Sequence, residues 1–578
     1  MNHIKILHAL GLLATAAIAI SESAAAEPLY SEFVRESLYV AVRDKTKLAM
    51  NIYRSAVNGE AVDTPYPVVF TFTPYRARFR TPEGTIRETG LSERLGLKGL
   101  TDHGYVVAVA DIRGKGASFG ARRGFQDRTE ALDGYDLVQW LAARPWSTGK
   151  VGMIGCSYLG GATVQVASTA PPALKAVFTG ATDFDKYTFV RRGGITAQFN
   201  TRPDEPPSYD LLSVPVDADA DGSMLREAVT EHADNTPMAA LWYGMPYRDS
   251  LSEFTGTRFW EEVGPYTYLD TLRNSGIAFY FWGNWQDEPT EQVILAAANI
   301  GGKLIVGPGG HCTPPPELDF AGEVRRFFDR YLKGIDNGID REPLYSYRID
   351  NGPEGEEWVR SSRIPGVAVP KTGFYLAGGK SGTARSANDG VLANSPPRSG
   401  SDSFTVDYNV GAGEYFAFWV DPMDDKGLSY TGPALATDTT LIGWPVLHLT
   451  VAADRTDANI FAYLDDVPPT GEATVVAFGR IAASHRKISP APYDALQTPW
   501  HSGRAADVEP LTPGEPVQLS FALTPAAWVF KAGHRIRITI TGADPRQRNL
   551  EQIRQDPPPR LTVSLGGAKP SRVELPLK

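Results

Sequence analysis

The sequence predicts an α/β domain on a mostly parallel sheet, split by a largely helical insertion and followed by a β-sandwich. Three observations predict it. Strands that are apolar on both faces alternate with helices up to residue 182 and again over 274–340. An aperiodic stretch rich in Pro and Asp breaks that rhythm within 183–273. Beyond Arg341 apolar residues recur at alternate positions between Pro- and Gly-rich connections.

The chain has 578 residues, which suits two or three domains rather than one. It is 42% apolar and 21% charged, enough to bury sizeable cores. A net charge of −10 argues against a nucleic-acid partner. At the N-terminus Lys5 precedes an apolar stretch from Ile6 to Ile20, and Ala24-Ala25-Ala26 fits a small-residue cleavage site before Glu27. Residues 1–26 read as a signal peptide, because about 15 apolar residues fall short of the ~20 needed to span a bilayer. The expected mature protein is periplasmic or secreted, with no membrane span. Cys156 and Cys312 are the only cysteines. They are expected to pack as two buried small residues; a disulfide or redox switch is the alternative in an oxidising compartment.

In chain order, Leu38 to Asp44 and Leu48 to Arg54 read as strands around a polar turn. Pro67 to Thr73 is a buried strand ending at Pro74-Tyr75, and Tyr105 to Asp111 is another, running into Ile112-Arg113-Gly114. Glu130 to Ala143 has a helical apolar face of Leu137, Val138 and Leu141. Leu174 to Thr179, Ile277 to Trp282 and Lys303 to Val306 are further strands. Glu323 to Leu332 carries a clean helical stripe ending at Gly334. The predicted units are 27–182 and 274–340 for the α/β domain, 183–273 for a helical cap, and 341–578 for a C-terminal jelly-roll sandwich.

The chemistry centres on the stretch from Val151 to Gly161, an apolar strand followed by Gly-x-Ser-x-x-Gly-Gly and a helix. A Ser at such a turn is the nucleophile elbow of the α/β-hydrolase fold. A Ser hydroxyl needs a base, and the base needs an acid to hold its tautomer. Ser157, Asp287 and His311 occur in the α/β-hydrolase order, each just past a predicted parallel strand. Ligands bind beyond the carboxyl ends of such strands. Tyr187, Trp242, Trp282 and Trp285 are candidates for the substrate pocket.

Gly155-Cys156-Ser157-Tyr158-Leu159-Gly160, Asp111-Ile112-Arg113-Gly114 with Ser118-x-Gly120, and Thr73-Pro74-Tyr75 resemble the CocE/NonD-type hydrolases. These include cocaine esterase, X-Pro dipeptidyl-peptidases, α-amino acid ester hydrolases and glutaryl-type acylases. Leu464-Asp465-Asp466-Val467-Pro468 and His485-Arg486 extend the resemblance into the C-terminal part. The resemblance implies a triad on Ser157, Asp287 and His311, with an oxyanion hole from the Tyr158 N–H and the Tyr75 hydroxyl. The family's acid comes three residues after a Gly, whereas Asp287 stands fourth after Gly283. A one-residue insertion keeps Asp287 as the acid; without it Gln286 would occupy the place, and Glu288 is the alternative carboxylate.

The expected activity is hydrolysis of a small ester, amide or short peptide through an acyl-enzyme, with no metal or cofactor. The alternatives are an X-Pro dipeptidyl-peptidase and, from another class, a carbohydrate-binding protein on a hydrolase scaffold. Self-association into a homo-oligomer is left open.

Overall fold

The computed structural model describes residues 27–196, 203–353, 358–386, 388–411, 418–547 and 554–578. The predicted signal peptide lies outside the described residues. The chain opens with the antiparallel pair β1 (Glu32–Ala41) and β2 (Lys47–Val57), to which the two-residue β3 (Glu60–Ala61) adds. β4 (Tyr66–Thr73) follows, then a separate small hairpin of β5 (Arg78–Arg80) and β6 (Ile86–Glu88). β7 (Val106–Asp111), β8 (Ser147–Cys156), β9 (Leu174–Gly180), β10 (Ala278–Asn284), β11 (Lys303–Gly307) and β12 (Tyr345–Arg348) join β4 in a parallel array. β13 (Trp358–Ser361) closes the far edge antiparallel to β12. The spatial order is β1-β2-β7-β4-β8-β9-β10-β11-β12-β13.

Every residue of β7 and β11 is buried, as a sheet covered on both faces requires. Helices α1 (Arg128–Ala142) and α2 (Tyr158–Ala167) belong to this cover. Asp127 starts α1 by accepting the Thr129 and Glu130 N–H groups at 2.8 and 3.1 Å, an N-cap that satisfies two otherwise orphaned donors. Register aligns the carboxyl ends: Cys156 pairs with Gly180, Trp282 with Gly180, and Asn284 with Gly307. The residues that follow these strands therefore emerge along one edge.

Between β9 and β10 lie the short helices α3 (Lys186–Val190), α4 (Ser223–Glu231), α5 (Met238–Tyr243), α6 (Phe259–Glu262) and α7 (Leu269–Asn274). Tyr187, Met238, Leu241, Trp242, Phe259 and Trp260 form a small core of their own there. α8 (Thr290–Ile300) follows β10; its apolar run escaped the sequence reading. α9 (Phe320–Phe328) continues through a turn to Gly334, whose φ of 76° ends it in the left-handed conformation that glycine tolerates.

One expected boundary changes. The boundary at Arg341 moves, because β12 and β13 extend the first sheet and cover the edge of β11 that would otherwise stay unpaired. The C-terminal part is β-rich around a second core that includes Leu447, Phe461, Tyr463, Phe478 and Ile538. Its strands are not all antiparallel: Gly390–Ala393 pairs parallel with Leu428–Thr431, across the long connection that a parallel crossover needs.

Candidate active site

β8 is buried from Val151 to Cys156, and α2 starts at Tyr158. Between them Ser157 adopts φ 62° and ψ −129°, a conformation L-residues rarely take. Small neighbours permit it. A Cβ on Gly155 would meet the Leu159 carbonyl carbon at 2.3 Å, and one on Gly160 the Gly180 carbonyl oxygen at 2.3 Å. The Ser157 N–H donates to the Gly180 carbonyl at 3.0 Å, which fixes the turn against β9. The start of α2 has N–H groups without intrahelical partners beside the Ser157 hydroxyl, with the positive end of the helix dipole behind them.

His311 Nε2 lies 2.8 Å from Ser157 Oγ. Its Nδ1 lies 3.0 and 2.9 Å from the two carboxylate oxygens of Asp287. Asp287 is buried just past β10, and burial raises its carboxyl while the hydrogen bond and charge of His311 oppose the rise. Gln286 turns elsewhere: it accepts the Gly309 N–H at 2.7 Å and donates to Asp350 at 3.1 Å, so it steadies the histidine loop. Glu288 faces the β-rich domain, 2.6 Å from Arg480 and 3.4 Å from Arg546. Burial works against its charge, yet Arg480, Arg546 and Arg192 hold its carboxyl below the usual range. The His311 loop is tied further by Asn284, which donates to the Pro308 and Thr313 carbonyls at 2.7 Å each, and by Arg94, which donates to the Cys312 carbonyl at 2.6 Å.

Cys156 and Cys312 depart from the expected pair of free thiols. They are not two separate buried thiols but a disulfide, with Cα atoms 6.0 Å apart. The physical reason is adjacency: each precedes or follows a residue of the Ser157–His311 contact, so that contact brings them together. The bond crosslinks residues 156 apart in sequence. By chain entropy such a crosslink is worth roughly 5 kcal/mol. Treatment with dithiothreitol, or Cys312→Ala, should therefore lower the melting temperature by about 4 °C in a thermal scan. An unchanged melting temperature would show that the bond does not constrain the unfolded chain.

A cavity of about 380 Å³ opens over the site, lined by Tyr75, Ser157, Tyr158 and His311 together with Arg122, Phe125, Lys186, Trp242 and Phe418. Of the four predicted pocket aromatics, Trp242 alone lines it. Trp282 points to the other side of the sheet, under Gly180 and 4.8 Å from Phe320. Trp285 turns to β12 and donates to the Arg348 carbonyl at 2.7 Å. Tyr187 packs on Trp260 and lines a cavity shared with the β-rich domain instead. Strand alternation and helix phase decided these directions. Phe418, whose ring stacks on His311 at 4.3 Å, was missed because it comes from the C-terminal domain and no local motif marks it. Arg122, Phe125 and Lys186 lie before β10, and they too were missed because no local motif marks them.

Tyr75 lies just past β4, where its N–H donates to Thr73 Oγ1 at 3.0 Å and Arg76 adopts a φ of 64°. Its ring meets that of Tyr158 edge-on at 6.2 Å. Asp111 supports this loop from below, accepting the Ala77 and Ala117 N–H groups at 2.5 and 2.9 Å. Burial pushes the Asp111 carboxyl up to about 7 against those two bonds. A carboxyl raised in this way binds its proton more tightly folded than unfolded. Its contribution is complete below about pH 4 and is lost as pH rises through about 7. Unfolding free energy of the native protein should thus fall over that window by up to about 4 kcal/mol more than that of Asp111→Asn. Equal slopes in urea titrations at pH 4 to 8 would contradict this.

Among the described residues no group of three or more His, Cys, Asp or Glu side chains could hold a metal ion, and no helix is long and apolar enough to cross a membrane.

The fold and the site together define a serine hydrolase. Residues 44–313 match the profile of the X-Pro dipeptidyl-peptidase (S15 family), and residues 337–574 match that of the X-Pro dipeptidyl-peptidase C-terminal non-catalytic domain. The chain is thus similar to the S15 family over its first part and to that family's C-terminal domain over its second, and it is similar to the CocE/NonD hydrolases as well. It is 28% identical to a Mycobacterium bovis protein provisionally named a serine esterase, over 90% of this chain and 92% of that one. It is 22% identical to the cocaine esterase of a Rhodococcus species, over 88% and 91%. A CocE/NonD family hydrolase from Staphylococcus aureus has the same fold, with a TM-score of 0.71 at 20% identity over 95% and 94% of the two chains.

Proposed function

We propose that the protein is an exported hydrolase that cleaves an ester or amide of a small acyl substrate through an acyl-enzyme on Ser157. The observation that carries this reading is the unbroken hydrogen-bonded line from Ser157 through His311 to Asp287. His311 takes the Ser157 proton as Oγ attacks the carbonyl carbon, then returns it to the leaving group; water repeats the cycle to release the acid. Asp287 holds Nδ1 as the donor, so that Nε2 faces Ser157 as the acceptor. The Tyr158 N–H and the Tyr75 hydroxyl donate to the oxygen that gathers charge. The insertion acts as a cap over the cavity, and the β-rich domain is a jelly roll that supplies Phe418. The signal-like N-terminus and the Cys156–Cys312 bond both support an oxidising, periplasmic or secreted location.

The test is labelling with a fluorophosphonate, followed by mass analysis of the Ser157 peptide, beside turnover of p-nitrophenyl esters. Labelling elsewhere, or none, would refute the assignment. Tyr75→Phe keeps the ring and deletes one donor. It should lower kcat by at least tenfold, within the roughly 10²–10³-fold range for such donors, with KM and Tm little changed. A loss of stability alone would make Tyr75 structural.

X-Pro dipeptidyl-peptidase activity is the second reading, favoured by the family profile and by relatives named Xaa-Pro dipeptidyl-peptidase. It requires an anionic subsite for a free amine. Asp183, Asp204, Glu205 and Asp210 line the cavity, but three of them are engaged by cations: Asp183 by Lys186, Glu205 by Arg76, and Asp210 by Lys115. The ester reading therefore ranks first, and hydrolysis of Gly-Pro-p-nitroanilide at a rate above that of the esters would reverse the order.

A further inference from the structure

Three cations line the cavity: Lys115, Arg122 and Lys186. Two are engaged. Lys115 Nζ lies 3.4 Å from Asp210, and Lys186 pairs with Asp183 and donates to Gln126 at 2.7 Å. Arg122 differs. Its main-chain N–H donates to Asn235 Oδ1 at 2.6 Å, and its Nε to the Gly124 carbonyl at 2.9 Å. Its Cζ lies 5.4 Å from the ring centres of both Phe125 and Tyr158. Among the described residues neither Nη donates a hydrogen bond, and no carboxylate lies within ion-pair distance. Glu130 and Asp204 act on it from farther away. Asp204, exposed at the rim, already accepts the Met238 N–H at 2.8 Å.

A guanidinium so placed is held at its Nε and lies against two rings that pack on each other, with its outer N–H groups unused. The planar fork fits a carboxylate with two parallel hydrogen bonds, and a fork already oriented loses little freedom on binding. Arg122 also lies over the ring of Tyr158, the residue after the nucleophile, on the same cavity wall as Ser157. A single guanidinium fork suits a monoanion. A phosphate would bring a second charge against the four carboxylates of the wall, and an ammonium would meet Arg122 with like sign.

We infer that Arg122 receives a carboxylate that the substrate carries outside the cleaved bond, so the substrate class is carboxylate-bearing esters or amides. This rests on the acyl-hydrolase reading above. Two matched pairs test it and locate the carboxylate. Monoethyl adipate against its neutral carboxamide isostere probes the acyl side. 4-Carboxyphenyl butyrate against its 4-carbamoyl isostere probes the leaving-group side.

In at least one pair the native enzyme should favour the anion by roughly tenfold to a hundredfold in kcat/KM, mostly through KM, as charge-assisted hydrogen bonds do. Arg122→Met should bring that ratio to about one or below, and Arg122→Lys, which keeps the charge without the fork, should restore part of it. Because the readout is a ratio, partial loss of folded enzyme does not imitate the effect. Turnover of the neutral compounds with no anion preference in either pair overturns the inference alone. A preference that survives Arg122→Met overturns it as well. No turnover of any of the four compounds overturns the acyl-hydrolase reading and this inference with it.

Discussion

Ser157→Ala should remove turnover, by about 10⁶-fold in kcat, the loss seen when the nucleophile of a comparable triad is deleted. The size follows from the geometry. Ser157 Oγ is the atom presented to His311 Nε2 at 2.8 Å, and alanine leaves the base with no oxygen to activate. The fold should tolerate the change. What the turn needs from residue 157 is its positive φ and its two main-chain bonds, which alanine can also make at some strain. Steady-state assays on p-nitrophenyl esters and a thermal scan on the same preparation are the check. Native-level turnover in a folded Ser157→Ala protein would remove Ser157 from the chemistry.

Asp287→Asn should cost on the order of 10⁴-fold in kcat, because an amide in place of the carboxylate stabilises the wrong tautomer of His311 and no imidazolium. Glu288→Gln should behave in the opposite way. Glu288 makes no contact with His311 and instead sits among Arg480, Arg546 and Arg192. Removing its charge leaves the buried Arg480 without a carboxylate partner, while Arg546 keeps Asp544 and Arg192 keeps Glu291; breaking a buried pair in this way typically costs about 3–5 kcal/mol. The expected pattern is therefore a folded, inactive Asp287→Asn and a destabilised Glu288→Gln that is active where folded. The two variants should be compared by kcat below the unfolding transition and by melting temperature. The reverse pattern would make Glu288 the acid and would mean that the register after Gly283 has been read one place wrong.

Much of the site is legible along the chain because its demands are local. A buried strand, a serine with a glycine on the strand side and a following helix impose spacing that survives in one stretch, so Ser157 stands out. Asp287 and His311 are legible for a related reason: each follows a short apolar run, and such runs in alternation with helices imply a parallel sheet whose carboxyl ends share an edge. The aromatic candidates fared differently. Trp242, Trp282, Trp285 and Tyr187 are all large and all near the right elements, yet Trp242 alone reaches the cavity. Whether a ring on a strand end faces helix α9 or the cavity depends on pleat and twist, which residue type does not report.

What the sequence by itself determined is the class of fold and the order of the candidate site residues: α/β rhythm, an interruption, then period-two strands, with Ser157, Asp287 and His311 in turn. Those follow from hydrophobic period and from turn residues, which act over a few positions. The tertiary structure alone decided the rest. It joined Cys156 to Cys312, set Phe418 on His311, engaged Glu288 with the C-terminal domain and left the outer nitrogens of Arg122 facing the cavity. Each of these is a relation between groups, and most join residues far apart in sequence. Whether a charge finds its partner is settled only when the sheet, the insertion and the second domain close around it.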